Sequence, residues 1–204
     1  MKIPTLEKLL EDQLKDIFSA ENQLSKALPK LAKAAKAEGL KACFKSHLEE
    51  TLGQIERLNQ IGQRLGIKLT GKKCAAMEGL VEEGKEAMET EGPDAIFDLG
   101  LIAAAQRVEH YEISAYSSAI ALAEHLGHDE VVEFLQETLD QETAAEEKLT
   151  TIAQEEIFPN AGGEADDEDE DEEEAMNEDG DEAETEDEPV TKKAKVGRRQ
   201  PVMS

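Results

Sequence analysis

The sequence is poor in the residues that build aromatic-rich or disulfide-linked folds. It has 204 residues, of which 3% are aromatic and none is tryptophan. This composition argues against an aromatic-rich β-sandwich, whereas the abundance of Ala, Leu, Glu and Lys is typical of helical proteins. Two cysteines, Cys43 and Cys74, are too few for a disulfide scaffold in a chain of this length. We therefore expect free thiols and a reducing compartment.

Long apolar runs and a positive net charge are also absent. No apolar run approaches the roughly 18 residues of a membrane span, and the N-terminus lacks the apolar core of a signal peptide. We therefore expect a cytoplasmic protein that does not bind a membrane. The net charge is −26, and residues 1–163 carry 30 acids against 17 bases. An acidic body of this kind argues against nucleic-acid binding.

Apolar residues recur at helical spacing in four long segments and one short segment. The long segments pair into two hairpins, which are joined by a crossover of roughly 30 residues that contains the short helix. The sequence therefore predicts an all-α fold, a ferritin-like four-helix bundle with an extra short crossover helix, over residues 1–160. The first predicted helix begins after Thr5 and ends at Gly39, and the second runs from about Leu40 to Leu65. The short helix runs from Cys74 to Thr90. The last two helices run from Pro93 to about His125 and from Asp129, its N-cap, to Pro159.

The last segment, residues 161–204, has a different composition. Residues 164–188 hold 18 acids and no base, and residues 189–204 hold five bases. Such a run cannot bury enough apolar surface to fold, so we expect a disordered acidic tail that ends in a basic segment. The tail has three interpretations: a solubilising extension, a weak binder of metals or polycations, and a basic docking peptide for a partner.

Each predicted long helix carries polar residues near its middle, on or beside its apolar face. In the fourth helix, Glu109 interrupts an apolar stripe that includes Ile102 and Tyr116. A carboxylate that points into a core is costly unless it is paired, hydrogen-bonded or bound to a cation. Helix by helix, the candidate metal ligands are Glu21; His47, Glu50 and Gln54; Glu109, His110 and Glu112; and Glu142 and Glu146.

Inward carboxylates at one level of a bundle repel one another unless cations neutralise them or their pKa values shift. Two divalent transition metals, iron or manganese, are the usual solution in ferritin-like bundles, and their open positions permit reaction with oxygen or peroxide. Spacing leaves two registers open. In the first, Glu21 and Glu50 of one hairpin, 29 residues apart, correspond to Glu112 and Glu142 of the other, 30 residues apart. In the second, Glu21 and Gln54 correspond to Glu109 and Glu142, and the separation is 33 residues in both hairpins.

The histidines depart from the usual pattern of a di-iron carboxylate site. The Glu-x-x-His tetrad that two helices of such a site normally carry does not occur in this chain. His47 precedes Glu50 by three residues, in the reverse order, and His110 points about 100° away from its neighbour Glu109. Both histidines stay candidate ligands, and His47 is the stronger one.

Several runs resemble the YciF/YciE-like family of bacterial stress-associated proteins, among them HLEETLGQIERL at 47–58, KKCAAMEGL at 72–80 and LIAAAQRVEHYEISAY at 101–116. The resemblance covers about residues 4–157. It implies a ferritin-like bundle, a homodimer and a two-metal site. The matching positions are Glu21, Glu50, Gln54 (often His in the family), Glu109, Glu112, Glu142 and Glu146.

Two functions are compatible with these observations. In the first, the protein is a di-iron or di-manganese carboxylate protein of the stress response, which binds or oxidises iron or handles oxygen or peroxide. Whether it turns over, as a ferroxidase-like or peroxide-consuming oxidoreductase, stays open. In the second, it is a non-enzymatic stress-protective or adaptor protein. Its inward glutamates are then paired with Gln54, His47, Arg57 or Arg107.

Overall fold

A computed structural model describes residues 3–162 of the chain. Its long helices are α1 (Leu6–Ala34), α2 (Glu38–Leu65), α4 (Asp94–His125) and α5 (Asp129–Ile152), and the short helix α3 is Ala75–Glu89. A π-helical turn, Ala153–Ile157, and a last short helix, α6 (Phe158–Ala161), follow α5. The predicted acidic tail lies outside the described residues, apart from its first two positions.

The four long helices surround one core. The hairpins α1–α2 and α4–α5 form the most extensive contacts, and α2 against α5 and α1 against α4 close the bundle. The crossover helix α3 packs across α1 and α4. This arrangement confirms the predicted ferritin-like bundle with a short crossover helix. Among residues 3–162, no helix combines the length and the apolarity that a membrane span requires.

Two apolar clusters fill the bundle, one toward each end. One cluster includes Leu24, Phe44 and Leu149, and the other includes Ile17 and Leu135. On each long helix the polar candidates fall between the residues of these two clusters. The bundle therefore places a buried polar layer at mid-height, with apolar packing above and below it.

The helix boundaries correct two predictions. Gly39 does not end the first helix, because α1 stops at Ala34 and Gly39 lies in the first turn of α2. The turn is set by Asp98 of α4, whose carboxylate accepts hydrogen bonds from the backbone N–H groups of Lys36 (2.9 Å) and Ala37 (2.6 Å). At the other end of the bundle, Asp129 is the first residue of α5, and His128 precedes it as a cap without a side-chain hydrogen bond.

The C-terminal end of α5 also differs from the prediction. Pro159 does not end the helical path, which continues through the π-helical turn into α6 and includes Pro159. Pro159 lies in the first turn of α6, a position that tolerates a residue without a backbone N–H. A π-helical turn widens the hydrogen-bond spacing just before it.

Candidate metal centre

Four side chains from three helices converge in the polar layer. His47 of α2, Glu109 and Glu112 of α4 and Glu142 of α5 each offer one ligand atom, and these atoms all lie within 4.8 Å of one another. All four residues are buried. His47 Nε2 lies 3.4 Å from Glu109 Oε1 and 3.7 Å from Glu142 Oε2. Glu109 and Glu112 are three residues apart on α4, which places both on the same face of the helix.

The first helix adds Glu21, which is fully buried. Tyr116 of α4 donates its phenolic hydrogen to Glu21 Oε1 at 2.5 Å, and Glu21 Oε2 has no hydrogen-bond partner. Glu142 and His47 are close enough for their charges to affect the ionisation of Glu21. All four long helices therefore contribute to one polar layer.

Gln54 of α2 also lies in the polar layer. Its side chain is buried, its Nε2 donates to a carboxylate oxygen of Glu142, and its Oε1 has no partner. Of the two registers that the spacing allows, Gln54 therefore fits the second, in which Glu21 and Gln54 of one hairpin correspond to Glu109 and Glu142 of the other. An amide at this position supplies a neutral group, where a carboxylate would add another negative charge.

Seven buried side-chain atoms of this layer have no hydrogen-bond partner among the described residues. A buried polar atom without a partner costs about 1–3 kcal/mol, and charged groups cost more. Bound cations would satisfy carboxylate oxygens that no protein donor reaches, so the donor set fits a metal centre on its own chemistry. The atoms are Glu21 Oε2, His47 Nε2, Gln54 Oε1, Glu109 Oε2, both oxygens of Glu112, and Glu142 Oε2.

The shifted pKa values of the buried groups also favour the binding of a cation in this layer. Burial, followed by the charge of Glu142, raises the pKa of Glu21 to about 8. Burial also raises the pKa of Glu109, and it raises the pKa values of Glu112 and Glu142 well above the usual range. For His47, burial alone would lower the pKa, but the negative charge of Glu109 and the hydrogen bond with Glu50 raise it to about 9. Without metal, the buried layer therefore favours the protonated forms of these carboxyl groups, and a bound cation would favour their ionised forms.

Three of the candidate residues do not join the buried layer. The Glu50 side chain is 39% exposed at the rim, where its Oε2 lies 3.4 Å from His47 Nδ1. Glu146 is half-buried, and it accepts hydrogen bonds from Gln106 (3.2 Å) and Thr150 (3.1 Å). His110 lies on the exposed side of α4, as its angle to Glu109 predicts. The structure brings together Glu21, His47, Gln54, Glu109, Glu112 and Glu142.

Comparison with known proteins identifies the family to which the chain belongs. Residues 5–161 match the family described as domain of unknown function DUF892. The chain is also 44% identical to Protein YciF of Escherichia coli K12 over 166 residues, which cover 81% of this chain and 100% of that protein. The chain belongs to the YciF-like DUF892 family. The recognition of this family from the sequence runs is thereby confirmed.

Solved structures of YciF-like proteins have the same fold. The crystal structure of the E. coli stress protein YciF is 46% identical and superposes with a TM-score of 0.72, covering 74% of this chain and 95% of that one. A protein from Rhodopseudomonas palustris, named YcfI and described as a putative structural protein, is 47% identical with a TM-score of 0.72, covering 74% and 97%. A ferritin-like, diiron-carboxylate protein from Bacillus anthracis shares the fold at 17% identity and a TM-score of 0.56, covering 75% and 99%.

Proposed function

We propose that the buried layer binds two divalent transition metals, iron or manganese. The observation that carries this proposal is the convergence of buried ligand atoms within 4.8 Å, most of them without a hydrogen-bond partner. The layer holds four carboxylates, from Glu21, Glu109, Glu112 and Glu142. Their four negative charges, once the carboxyl groups have lost their protons, balance the charge of two divalent cations.

The residues have distinct roles in such a centre. Glu21, Glu109, Glu112 and Glu142 would hold the metals through oxygen, and His47 would supply the one nitrogen ligand of the layer. When bound, iron or manganese supplies redox chemistry toward oxygen or peroxide. Gln54 holds the Glu142 carboxylate by its hydrogen bond, in the way that a hydrogen-bonded neighbour orients a metal ligand. Oxygen ligands outnumber nitrogen, and this favours iron(II) or manganese(II) over zinc or copper.

The relatives support a biological setting for this chemistry. The E. coli relative is named a stress protein, and the B. anthracis protein with the same fold is named a diiron-carboxylate protein. We further propose that this chain acts in the cytoplasm as a homodimer and handles iron, oxygen or peroxide during stress. In this setting, a metal pair that consumes an oxidant would protect other cell components.

The second hypothesis, an adaptor with paired glutamates, requires partners for the inward carboxylates. Gln54 and His47 do contact Glu142 and Glu109. Arg57, in contrast, contacts Thr138, Gln141 and Glu137, and Arg107 is exposed and lies 3.6 Å from Glu83. Both oxygens of Glu112 have no hydrogen-bond partner. The pairings that would make these glutamates purely structural are therefore incomplete.

The proposal is tested by the metal content of tag-free protein after anaerobic loading with Fe(II) or Mn(II). The same measurement on a chain that ends at Gly162 separates the bundle from the acidic tail. About two metals per chain are expected in both proteins, and fewer in a Glu109→Gln, Glu142→Gln double variant. Glu146→Gln is the matched control, because Glu146 lies one turn from Glu142 but outside the buried layer. Metal bound only by the full-length chain would assign it to the tail and contradict the proposal.

A further inference from the structure

A second polar group lies beside the candidate metal centre and links three parts of the chain. The Tyr111 phenol of α4 lies 2.8 Å from Asp16 Oδ2 of α1 and 2.9 Å from Cys74 Sγ, which precedes α3. Tyr111 directly precedes Glu112 in α4, and Cys74, its hydrogen-bond partner, is close enough to Glu112 for its charge to affect the ionisation of that carboxyl group. Asp16, an acid on the flank of α1, is not among the candidate residues that the sequence predicted.

The position of Cys74 is fixed by several contacts. Its backbone N–H donates to Ser19 Oγ at 2.9 Å, and its carbonyl accepts from Gln23 Nε2 at 3.0 Å. Its sulfur accepts from the backbone N–H of Met77 at 3.4 Å, which caps α3. Cys74 itself is fully buried. The thiol is therefore held against the phenol by α1 and by the start of α3.

The donors and acceptors of this group define the direction of its hydrogen bonds. A phenol carries one proton, and the Tyr111 proton goes to the Asp16 carboxylate. The Cys74 thiol then donates to the phenolic oxygen. Asp16 Oδ1 also lies 3.2 Å from the ammonium of Lys72, which binds Asp12 as well. Tyr111 thus has a charged proton acceptor at a distance suited to proton transfer.

We propose that Tyr111 is a one-electron donor to the oxidised metal centre, with Asp16 as the acceptor of its proton. This inference rests on the proposed metal function. Hydrogen peroxide takes up two electrons and yields two hydroxide ions. In a chain that holds a single Fe(II), the iron would supply one of these electrons on oxidation to Fe(III), and the other would have to come from the protein. Tyr111 would supply this second electron, its phenolic proton would move to Asp16 Oδ2, and a neutral tyrosyl radical would remain.

Tyr116, the other tyrosine of the chain, is less suited to this role. Its hydrogen-bond acceptor is Glu21, whose carboxylate the metals would share. It is also fully buried, whereas Tyr111 lies at the edge of the bundle, with Asp16 partly open to solvent. The sequence has two tyrosines and no tryptophan, so a radical of this type has only two candidate sites.

The test is electron paramagnetic resonance of the full chain, frozen after one Fe(II) and one peroxide have been added per chain. Bound iron and its oxidation are measured in the same samples. A tyrosyl signal is expected in the wild type, and it should narrow when the protein is made with ring-deuterated tyrosine. The signal should persist in Tyr116→Phe, disappear in Tyr111→Phe and weaken several-fold in Asp16→Asn. The deuterated wild type and Tyr116→Phe together identify the radical even if Tyr111→Phe does not fold.

The outcomes separate this inference from the proposed function. Bound and oxidised iron without a tyrosyl signal, or with a signal that survives Tyr111→Phe, would overturn the role of Tyr111 and leave the metal centre intact. No bound iron in the wild type would contradict the proposed function, and the role of Tyr111 would fall with it. An Asp16→Asn variant with the full wild-type signal would overturn the role of Asp16 as proton acceptor.

Discussion

The metal-free protein should lose stability as the pH rises from 6.5 to 8. The pKa of Glu21 rises from about 4.5 in the unfolded chain to about 8 in the folded state, and that of His47 rises from 6.5 to about 9. Between pH 6.5 and 8, the folded state therefore binds between one and two more protons at these groups than the unfolded state does. A raised folded-state pKa gives stability that is complete below the unfolded value and is lost as the pH rises toward the folded value.

The expected loss is large. One retained proton is worth about 1.4 kcal/mol per pH unit, and the difference in bound protons averages somewhat less than one per group across this range, so the two groups give about 3 kcal/mol. The pKa values of Glu109, Glu112 and Glu142 shift in the same direction, so these groups do not reverse the sign of the loss. Because a domain is typically stable by only about 5–15 kcal/mol, a change of this size should lower the melting temperature by roughly 10 °C.

The assay is urea unfolding of chelator-treated protein, followed by circular dichroism at several pH values. Glu21→Gln keeps the shape of the side chain and removes one titrating group, so the slope with pH should become shallower. Glu133→Gln makes the same charge change at an exposed position and should leave the slope unchanged. Stability that is constant or that rises between pH 6.5 and 8 would refute the electrostatic account of the buried layer.

Three further outcomes follow from particular contacts. His47→Gln should weaken manganese binding, measured by calorimetry, because it removes the one nitrogen ligand of the layer; unchanged affinity would exclude His47 as a ligand. Asp98→Asn should lower the free energy of unfolding by about 1–3 kcal/mol, because it weakens the hydrogen bonds that end α1, and metal content should not change. Leu14→Ala should cost about 2–5 kcal/mol in urea unfolding, because Leu14 is fully buried in an apolar cluster; a cost below 1 kcal/mol would contradict tight packing there.

Local signals were sufficient to predict much of the fold. Gly66 and Gly127 adopt positive φ angles of 65° and 72° just after α2 and α4, the conformation in which glycine commonly terminates a helix. The end of α1 was not predictable in this way. It depends on Asp98, which lies 62 residues from Lys36 in the sequence, and Gly39 offered a misleading local signal. Boundaries set by distant side chains are not visible in a single segment.

The candidate site was likewise predictable in part, because local periodicity identifies inward residues but not how the helices pack against one another. Helical periodicity placed Glu21, Glu109 and Glu142 on inward faces, and the structure buries all three. Periodicity could not choose between Glu50 and Gln54, because the choice depends on how α2 is rotated against α5. The structure buries Gln54 and leaves Glu50 at the rim. The network around Tyr111 was also out of reach, because it joins α1, the crossover and α4 through side chains alone.

The most direct test of the central claim is anomalous diffraction at the manganese absorption edge, from crystals grown with Mn(II). The account predicts two anomalous peaks per chain inside the bundle, each about 2.0–2.3 Å from carboxylate oxygens of the buried layer. Glu109, Glu112 and Glu142 should each contact at least one peak. Full-length protein with no peak in this layer, or with peaks only at surface carboxylates, would contradict it.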